Sequence, residues 1–309
     1  MPISYLAIIA IIGYAAERTR FVPDISSGLS RVIVNITLPV TIIMSISDQD
    51  VGGISFFDIV VVAGIAFAAI FSLLLVQYFF AKLFKVDQTR RLLHSYLGSF
   101  GNVVFLGYPF INQLFGTQGL FYAIVYSIVN ELILWSVGAY FLNKRSQEPG
   151  NWSLKRMLNP NTLSFCIGIS MLLLGFRFPG IIHAPLLRLS QATVPLSMLF
   201  IGSMLAQTKL QAAIKDSARW FMCFIKMLFA PLSIIALACF FGIASEQANS
   251  VLLIVAILQV AMPSQTILAV LADRYDADAP YAVQTIFLST LLSLLTLPFI
   301  YFVAVYFLA

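Results

Sequence analysis

The sequence has few charged residues. Asp, Glu, Lys and Arg make up 10% of its 309 residues, whereas they make up about a quarter of a soluble domain. This scarcity excludes a soluble globular protein. The 18 basic residues outnumber the 13 acidic ones, but they fall in short segments between apolar runs. That distribution is typical of membrane orientation rather than of a nucleic-acid surface, so no nucleic-acid partner is expected.

Cysteine and histidine are also scarce, with three and two residues. Cys166, Cys223 and Cys239 are odd in number and lack a chelating spacing, which argues against a disulfide framework and against a zinc site. The sequence contains no glycine-rich phosphate loop, nucleophile elbow or metal-binding triplet. We therefore expect no catalytic residues, no metal and no cofactor, and the protein is not expected to be an enzyme.

Apolar residues dominate the sequence. They make up 60% of it, and the mean hydropathy is +0.94. Since a helical span needs about 20 apolar residues, the chain has room for about ten spans in a lipid bilayer. The apolar runs predict spans at 3–20, 25–47, 56–82, 92–115, 119–142, 161–178, 184–206, 220–244, 249–273 and 279–308. The first run is predicted to be retained as a span, because its basic residues follow it rather than precede it.

The basic residues cluster in every second connection between these spans. Connections after the odd-numbered spans contain Arg18, Arg20, Lys82, Lys85, Arg90, Arg91, Lys144, Arg145, Lys155, Arg156, Lys209, Lys215, Arg219 and Arg274. Connections after the even-numbered spans contain almost none. Because short loops rich in Lys and Arg stay in the cytoplasm, both termini are predicted to face outside.

The two halves of the chain resemble each other weakly. Pro39 and Pro195 occupy the same point of the second span in each half, and Tyr122-Ala123 aligns with Tyr281-Ala282. When a unit with an odd number of spans is duplicated, the second copy has the opposite orientation in the membrane, as in the inverted repeats of many secondary transporters. Ordinary helix kinking is the alternative for the two prolines. The predicted organisation is a first five-span repeat, a cytoplasmic connecting loop and a second, inverted repeat, at 1–142, 143–160 and 161–309.

Spans 4 and 9 contain residues that interrupt helices. In span 4, Gly107 and Pro109 are predicted to open the helix. In span 9, Pro263, Ser264 and Gln265 lie in the middle of the span. Backbone groups freed at that depth are tolerated only where protein or a water-filled cavity satisfies them, and paired interruptions in two halves indicate a transporter site. The N-termini of half-helices at such breaks present unpaired N–H groups and the positive end of the helix dipole, which can bind a carboxylate. The alternative is simple kinking of packed helices.

Glu131 and Lys226 are two of the charged residues that fall inside predicted spans. Glu131 in span 5, beside Asn130, is interpreted either as a protonatable coupling site or as a permanently hydrogen-bonded bridge between helices. Lys226 near the cytoplasmic end of span 8 is expected to extend its ammonium to the interface. An ion pair or an anion-attracting role is the alternative for Lys226.

Several segments resemble the auxin efflux carrier family of membrane transporters. They are GNVVFLGYP, LNPNT, AMPSQTILAVLADRY and STLLSLLTLP. The chain is similar to the compact prokaryotic members, since only a short loop stands where plant auxin exporters have a long one. The resemblance implies an all-α fold of ten transmembrane helices in two inverted five-helix repeats, with broken helices in spans 4 and 9 that cross. It also implies elevator-type alternating access and a small carboxylate substrate. The expected location is the plasma membrane (the bacterial inner membrane), and a homodimer is the candidate assembly.

The resemblance also carries over individual residues. Asn102, Gly107 and Pro109 match the family's first crossover. Its Asn-Pro element is matched by Asn159, Pro160 and Asn161, and its second crossover by Pro263, Ser264 and Gln265. In the family, the crossover asparagine contacts the substrate carboxylate. Leu268 departs from the pattern, because plant carriers have a second crossover proline there.

Together these features predict a secondary transporter of small organic anions. Proton coupling and uniport are both open. One charge crossing 100 mV is worth about 2.3 kcal/mol, so export of an anion down an inside-negative potential needs no coupled ion. The alternatives are a sodium-coupled anion symporter and a ligand sensor with a transporter fold.

Overall fold

The fold is all-helical. A computed structural model describes residues 2–21, 25–47, 55–88, 90–138, 160–207, 214–242, 247–275 and 277–308. Among these residues, the one β-type pairing is an isolated antiparallel bridge between Gly101 and Ser264. The predicted all-α class is therefore confirmed. The connecting loop predicted at 143–160 lies outside the described residues except for Pro160.

The described residues form α-helices that we number in chain order. They are α1 (Pro2–Arg18), α2 (Ile25–Val32), α3 (Leu38–Ser47), α4 (Phe56–Leu83), α5 (Arg91–Leu97), α6 (Tyr108–Ile133), α7 (Pro160–Leu173), α8 (Gly180–Gln191), α9 (Thr193–Gln207), α10 (Ser217–Phe224), α11 (Ala230–Phe240), α12 (Gln247–Val260), α13 (Ile267–Arg274) and α14 (Ala279–Leu308). Wider π-helical turns join several of them, at Ile33–Thr37, Val103–Gly107, Leu134–Gly138 and Ile225–Phe229.

Five helical segments of the described chain are long and apolar enough to cross a membrane. They are Phe56–Leu83, Val103–Ser136, Gly180–Met204, Ser217–Phe240 and Ala279–Leu308. The second contains Gly116, whose positive φ of 62° interrupts the helix where the sequence predicts the connection between spans 4 and 5. Shorter apolar helices lie within predicted spans 2, 6 and 9. The chain is thus a multi-pass membrane protein.

The chain divides into two compact units. The first unit comprises Met1–Val60, Val104–Val125 and Lys155–Gln207. The second unit comprises Val61–Val103, Tyr126–Leu154 and Thr208–Ala309. Each unit therefore takes residues from both halves of the predicted repeat.

In the first unit, α1 packs closely along α9. The approach is so close that a Cβ built on Gly13 would meet the backbone of Leu199, and one built on Gly202 would meet the backbone of Ala10. Small residues allow this kind of backbone contact between membrane helices, where van der Waals packing replaces the hydrophobic effect as the driving force.

We expect Gly202→Val to destabilise the protein strongly. The new side chain meets backbone, which cannot rotate away, so the helices must separate; overpacking of this kind costs about 1–3 kcal/mol or more. The expected result is a large fall in melting temperature in detergent, measured by intrinsic fluorescence. Gly64→Ala is the control, since its Cβ meets no atom within 4 Å and alanine favours a helix. Equal melting temperatures for the two variants would contradict the packing argument.

Pro39 and Pro195 both lie at the start of a helix. Pro39 is the second residue of α3, directly after the Ile33–Thr37 π-turn, and Pro195 is the third residue of α9, which follows a turn at Ala192. Proline is tolerated in the first turn of a helix, where its missing N–H is not needed. The two prolines therefore mark changes of helix geometry.

The centre of the second unit is α12. Its residues from Leu252 to Val260 are buried on every side, and it packs against α11 and α14. A helix that is apolar all round is typical of a position enclosed by other helices. This buried helix leads directly into the interruption of span 9.

Candidate functional site

Two non-helical segments lie within the second unit. One, at 98–102, separates α5 from the π-turn that begins at Val103, and the other, at 261–266, separates α12 from α13. They interrupt the two spans that the sequence predicts to be broken.

The two segments cross and pair through their backbones. The Asn102 N–H donates to the Pro263 carbonyl at 2.7 Å, and the Gln265 N–H donates to the Phe100 carbonyl at 3.1 Å. These hydrogen bonds flank the Gly101–Ser264 bridge. A Cβ on Gly101 would lie 3.2 Å from the Met262 Cβ, so glycine allows the close approach. The crossing is thus a single antiparallel β-bridge with two backbone hydrogen bonds, inside a helical protein.

The interruption of span 4 lies nearer the N-terminus than predicted. Gly107 and Pro109 were expected to open the helix, but Gly107 closes a π-helical turn and Pro109 is the second residue of α6. The prediction was wrong because the π-turn accommodates the missing proline N–H without a break. Both residues belong to the first unit.

Pro109 lines a cavity of about 160 Å³ in the first unit. Neutral polar side chains share the lining with it, among them Asn112, Thr41 and Thr193. The hydroxyls of Thr41 and Thr193 are hydrogen-bonded to each other at 2.8 Å. The predicted site residues are therefore divided, with Gly107 and Pro109 in one unit and the crossing in the other.

The carbonyls freed at the end of α5 have donors. The pairs are Leu97 O with Ser264 Oγ at 2.7 Å, Gly98 O with Gln77 Nε2 at a long 3.5 Å, Ser99 O with Lys226 Nζ at 3.0 Å, and Phe100 O with the Gln265 N–H at 3.1 Å. Because an unpaired buried carbonyl is costly at this depth, these donors stabilise the non-helical segment.

Asn102 is different, because its side chain has no hydrogen-bond partner in the described part of the chain. Both Oδ1 and Nδ2 are buried and unpaired, and the residue is only 1% exposed. Leaving a buried polar atom unsatisfied costs about 1–3 kcal/mol. The crossing thus presents a buried amide suited to a ligand with acceptor oxygens.

A side-chain network links Glu131 to the second crossing segment. Asn130 Nδ2 donates to Gln265 Oε1 at 3.1 Å, and Gln265 Nε2 donates to Glu131 Oε1 at 2.5 Å. Trp135 Nε1 donates to Glu131 Oε2 at 2.9 Å. Both carboxylate oxygens of Glu131 therefore accept hydrogen bonds from neutral donors.

The expectation that Lys226 reaches the membrane interface was wrong. Lys226 is 0% exposed, and its Nζ donates to the Ser99 carbonyl. It lies in the Ile225–Phe229 π-turn, which the sequence gives no means of predicting.

The remaining predicted residues are distributed as follows. Ser264 is fully buried, and its N–H donates to Ser289 Oγ at 3.1 Å. Pro263 is buried at the crossing. The Asn161 side chain and all of Asn159 lie outside the described residues, while Pro160 begins α7. Within the described chain, no three His, Cys, Asp or Glu side chains are grouped so that they could hold a metal ion.

The sequence analysis missed Gln77, Ser289 and Trp135. Gln77 is fully buried in α4, and its Nε2 also donates to the Met222 carbonyl at 3.1 Å. It is a single amide in a long apolar run, and polar residues inside spans are functional candidates by default. That signal could have identified it. Ser289 and Trp135 carry no comparable signal.

Comparison with known proteins agrees with this architecture. The family model described as "Membrane transport protein" matches residues 1–301. An uncharacterised transporter of Methanothermobacter thermautotrophicus is 30% identical over 274 residues, which are 88% of this chain and 87% of that protein. An uncharacterised transporter of Methanocaldococcus jannaschii is 24% identical over 298 residues, 94% of each chain. The chain belongs to this family of membrane transport proteins, the auxin efflux carrier type, and is not an enzyme.

Proposed function

We propose that the protein is a secondary transporter that moves small organic anions. The observation that carries this proposal is the buried side chain of Asn102, which has no partner in the described chain and lies at the crossing of two interrupted helices. Buried polar groups without partners are rare and call for an explanation. A transported ligand that occupies the crossing supplies one.

A carboxylate suits the donors at this site. The Asn102 Nδ2 group can donate hydrogen bonds to a carboxylate oxygen. The acidic side chain in the crossing network, Glu131, is already engaged by Gln265 and Trp135. It therefore does not need to be displaced for an anion to bind.

The proposed transport cycle is elevator-type alternating access, in which the second unit carries the anion. Two interruptions within that unit support this, since such segments form the substrate sites of many transporters. The accompanying topology is ten spans, with inverted repeats at 1–142 and 161–309 joined by a cytoplasmic loop. It has both termini outside the bacterial inner membrane.

The energy source of the proposed carrier is either the membrane potential or an ion gradient. An inside-negative potential of 100 mV favours exit of a monoanion by about 2.3 kcal/mol, so efflux needs no coupled ion. Glu131 is the candidate for proton coupling. Sodium coupling would require several oxygen ligands at the crossing.

The test is flux in proteoliposomes containing the purified protein. Labelled monocarboxylates and dicarboxylates and their neutral amides are compared under an imposed potassium-diffusion potential, with and without proton or sodium gradients. We expect saturable carboxylate flux that responds to voltage and no flux of the neutral amides. Carboxylate binding without flux would support a sensor and contradict the proposal. Equal flux of acids and amides would contradict selection of anions.

A further inference from the structure

Lys226 is a buried cation that has no ionic partner among the described residues. It is 0% exposed, and the hydrogen bond of its ammonium is to a neutral group, the Ser99 carbonyl, at 3.0 Å. No carboxylate pairs with it in the described part of the chain. An ammonium has three N–H donors, so this contact uses a third of its capacity.

The other buried cation on the same span is compensated. Arg219 is 6% exposed, and its Nε lies 3.6 Å from Asp216 Oδ2. Its guanidinium carbon lies over the Tyr281 ring, 4.5 Å from the ring centroid. The acid nearest the crossing in the described network, Glu131, is engaged by Gln265 and Trp135. Lys226 therefore differs from Arg219, because no described residue supplies it with a counter-charge.

The contact with Ser99 compensates Lys226 only in part. Ser99 follows the C-terminal end of α5, where the aligned peptide dipoles amount to about half a negative charge. A protonated Lys226 therefore retains a net positive field at the crossing. Charged residues inside a membrane are costly and mark substrate or ion pathways.

Lys226 is hydrogen-bonded to the segment that contains Asn102, so its charge acts at the candidate site. Ser99 lies three residues before Asn102 in the same non-helical segment. The carbonyl of Phe100, the next residue, accepts a hydrogen bond from the Gln265 N–H in the second segment. The ammonium is thus fixed to the backbone of the crossing, on the unit that contains the unpaired Asn102 amide.

We propose that Lys226 is the fixed counter-charge for the transported carboxylate. This inference rests on the proposed function and deepens it. Asn102 donates hydrogen bonds to the ligand, and Lys226 selects for its negative charge. A site with a tethered cation does not need a metal cation to neutralise the bound anion.

The test compares ligands that differ in charge but hardly in size. Succinate and its monoamide, succinamate, are measured as competitors of the labelled carboxylate that the wild type transports. Coulomb energy scales with ligand charge, so we expect Lys226→Gln to raise the inhibition constant about tenfold for succinamate and about a hundredfold for succinate. Lys226→Arg retains the charge and is expected to retain the wild-type ratio of the two constants.

Lys215→Gln is the matched control, because Lys215 is an exposed cation just before α10. The ratio of two inhibition constants does not depend on the fraction of folded protein, so partial misfolding does not obscure the result. If Lys226→Gln leaves the ratio unchanged, Lys226 only supports the Ser99 carbonyl and the inference is wrong. If the wild type transports no carboxylate, the proposed function itself fails, and the two failures are distinguished.

Discussion

Replacement of Asn102 by alanine is expected to abolish carboxylate flux without lowering the stability of the protein. Both polar atoms of this side chain are buried without partners in the described chain, and each costs about 1–3 kcal/mol. Alanine removes that cost. It also removes hydrogen bonds to a charged ligand, worth about 1.5–3 kcal/mol each, so we expect flux to fall about a hundredfold or more.

The measurement pairs two quantities on the same preparation, the flux in proteoliposomes and the melting temperature in detergent. Asn35→Ala is the control, because the Asn35 side chain is exposed and donates to the Arg31 carbonyl within α2 and its adjoining π-turn. It should change neither quantity much. A parallel loss of flux and of melting temperature in Asn102→Ala would mean that Asn102 is structural, and would remove the main support for the proposed site.

Replacement of Glu131 by glutamine is expected to remove any dependence of flux on the proton gradient. Two donors, Gln265 Nε2 and Trp135 Nε1, face the carboxylate. Protonation of Glu131 places a hydrogen opposite one of these donors, so Gln265 must move. The Gln265 backbone N–H is bonded to Phe100 across the crossing, which transmits the change to the site. Glutamine imitates the protonated form permanently.

The measurement is the ratio of flux with and without an imposed pH gradient, at zero membrane potential. We expect a ratio above one in the wild type and a ratio of one in Glu131→Gln. Glu17→Gln, on α1 of the first unit, is the control and should keep the wild-type ratio. A wild type indifferent to the gradient would make Glu131 a structural bridge and would leave uniport or sodium coupling as the mode of transport.

The sequence predicts the interruption of span 9 well and that of span 4 less well. Pro263 cannot donate a backbone hydrogen bond and is followed by two polar residues in an apolar run, so the local chemistry marks the break. In span 4 the same reasoning predicts a break at Pro109, but that proline lies in the first turn of α6, just after a π-turn. The helix is interrupted at Gly98–Asn102 instead. Local propensity does not reveal where a distant segment will supply replacement donors.

The partners of the site are the least predictable part of it. Lys226 and Gln77 reach carbonyls that neighbour each other in the chain, but they come from different spans. Periodicity identifies which residues are unusual in a membrane, and it does not identify what they contact. Glu131 illustrates this, because its contact with Gln265 joins residues that are 134 positions apart.

The crossing also has a consequence for how the protein is made. The carbonyls at the end of α5 obtain donors from Lys226 and Ser264, which lie 127 and 167 residues later in the chain. During synthesis, the fourth span leaves the ribosome long before these donors exist, so its opened backbone cannot yet be satisfied within lipid. The crossing can therefore form only after the eighth and ninth spans have been made. Its assembly is accordingly a late step in the biogenesis of this transporter.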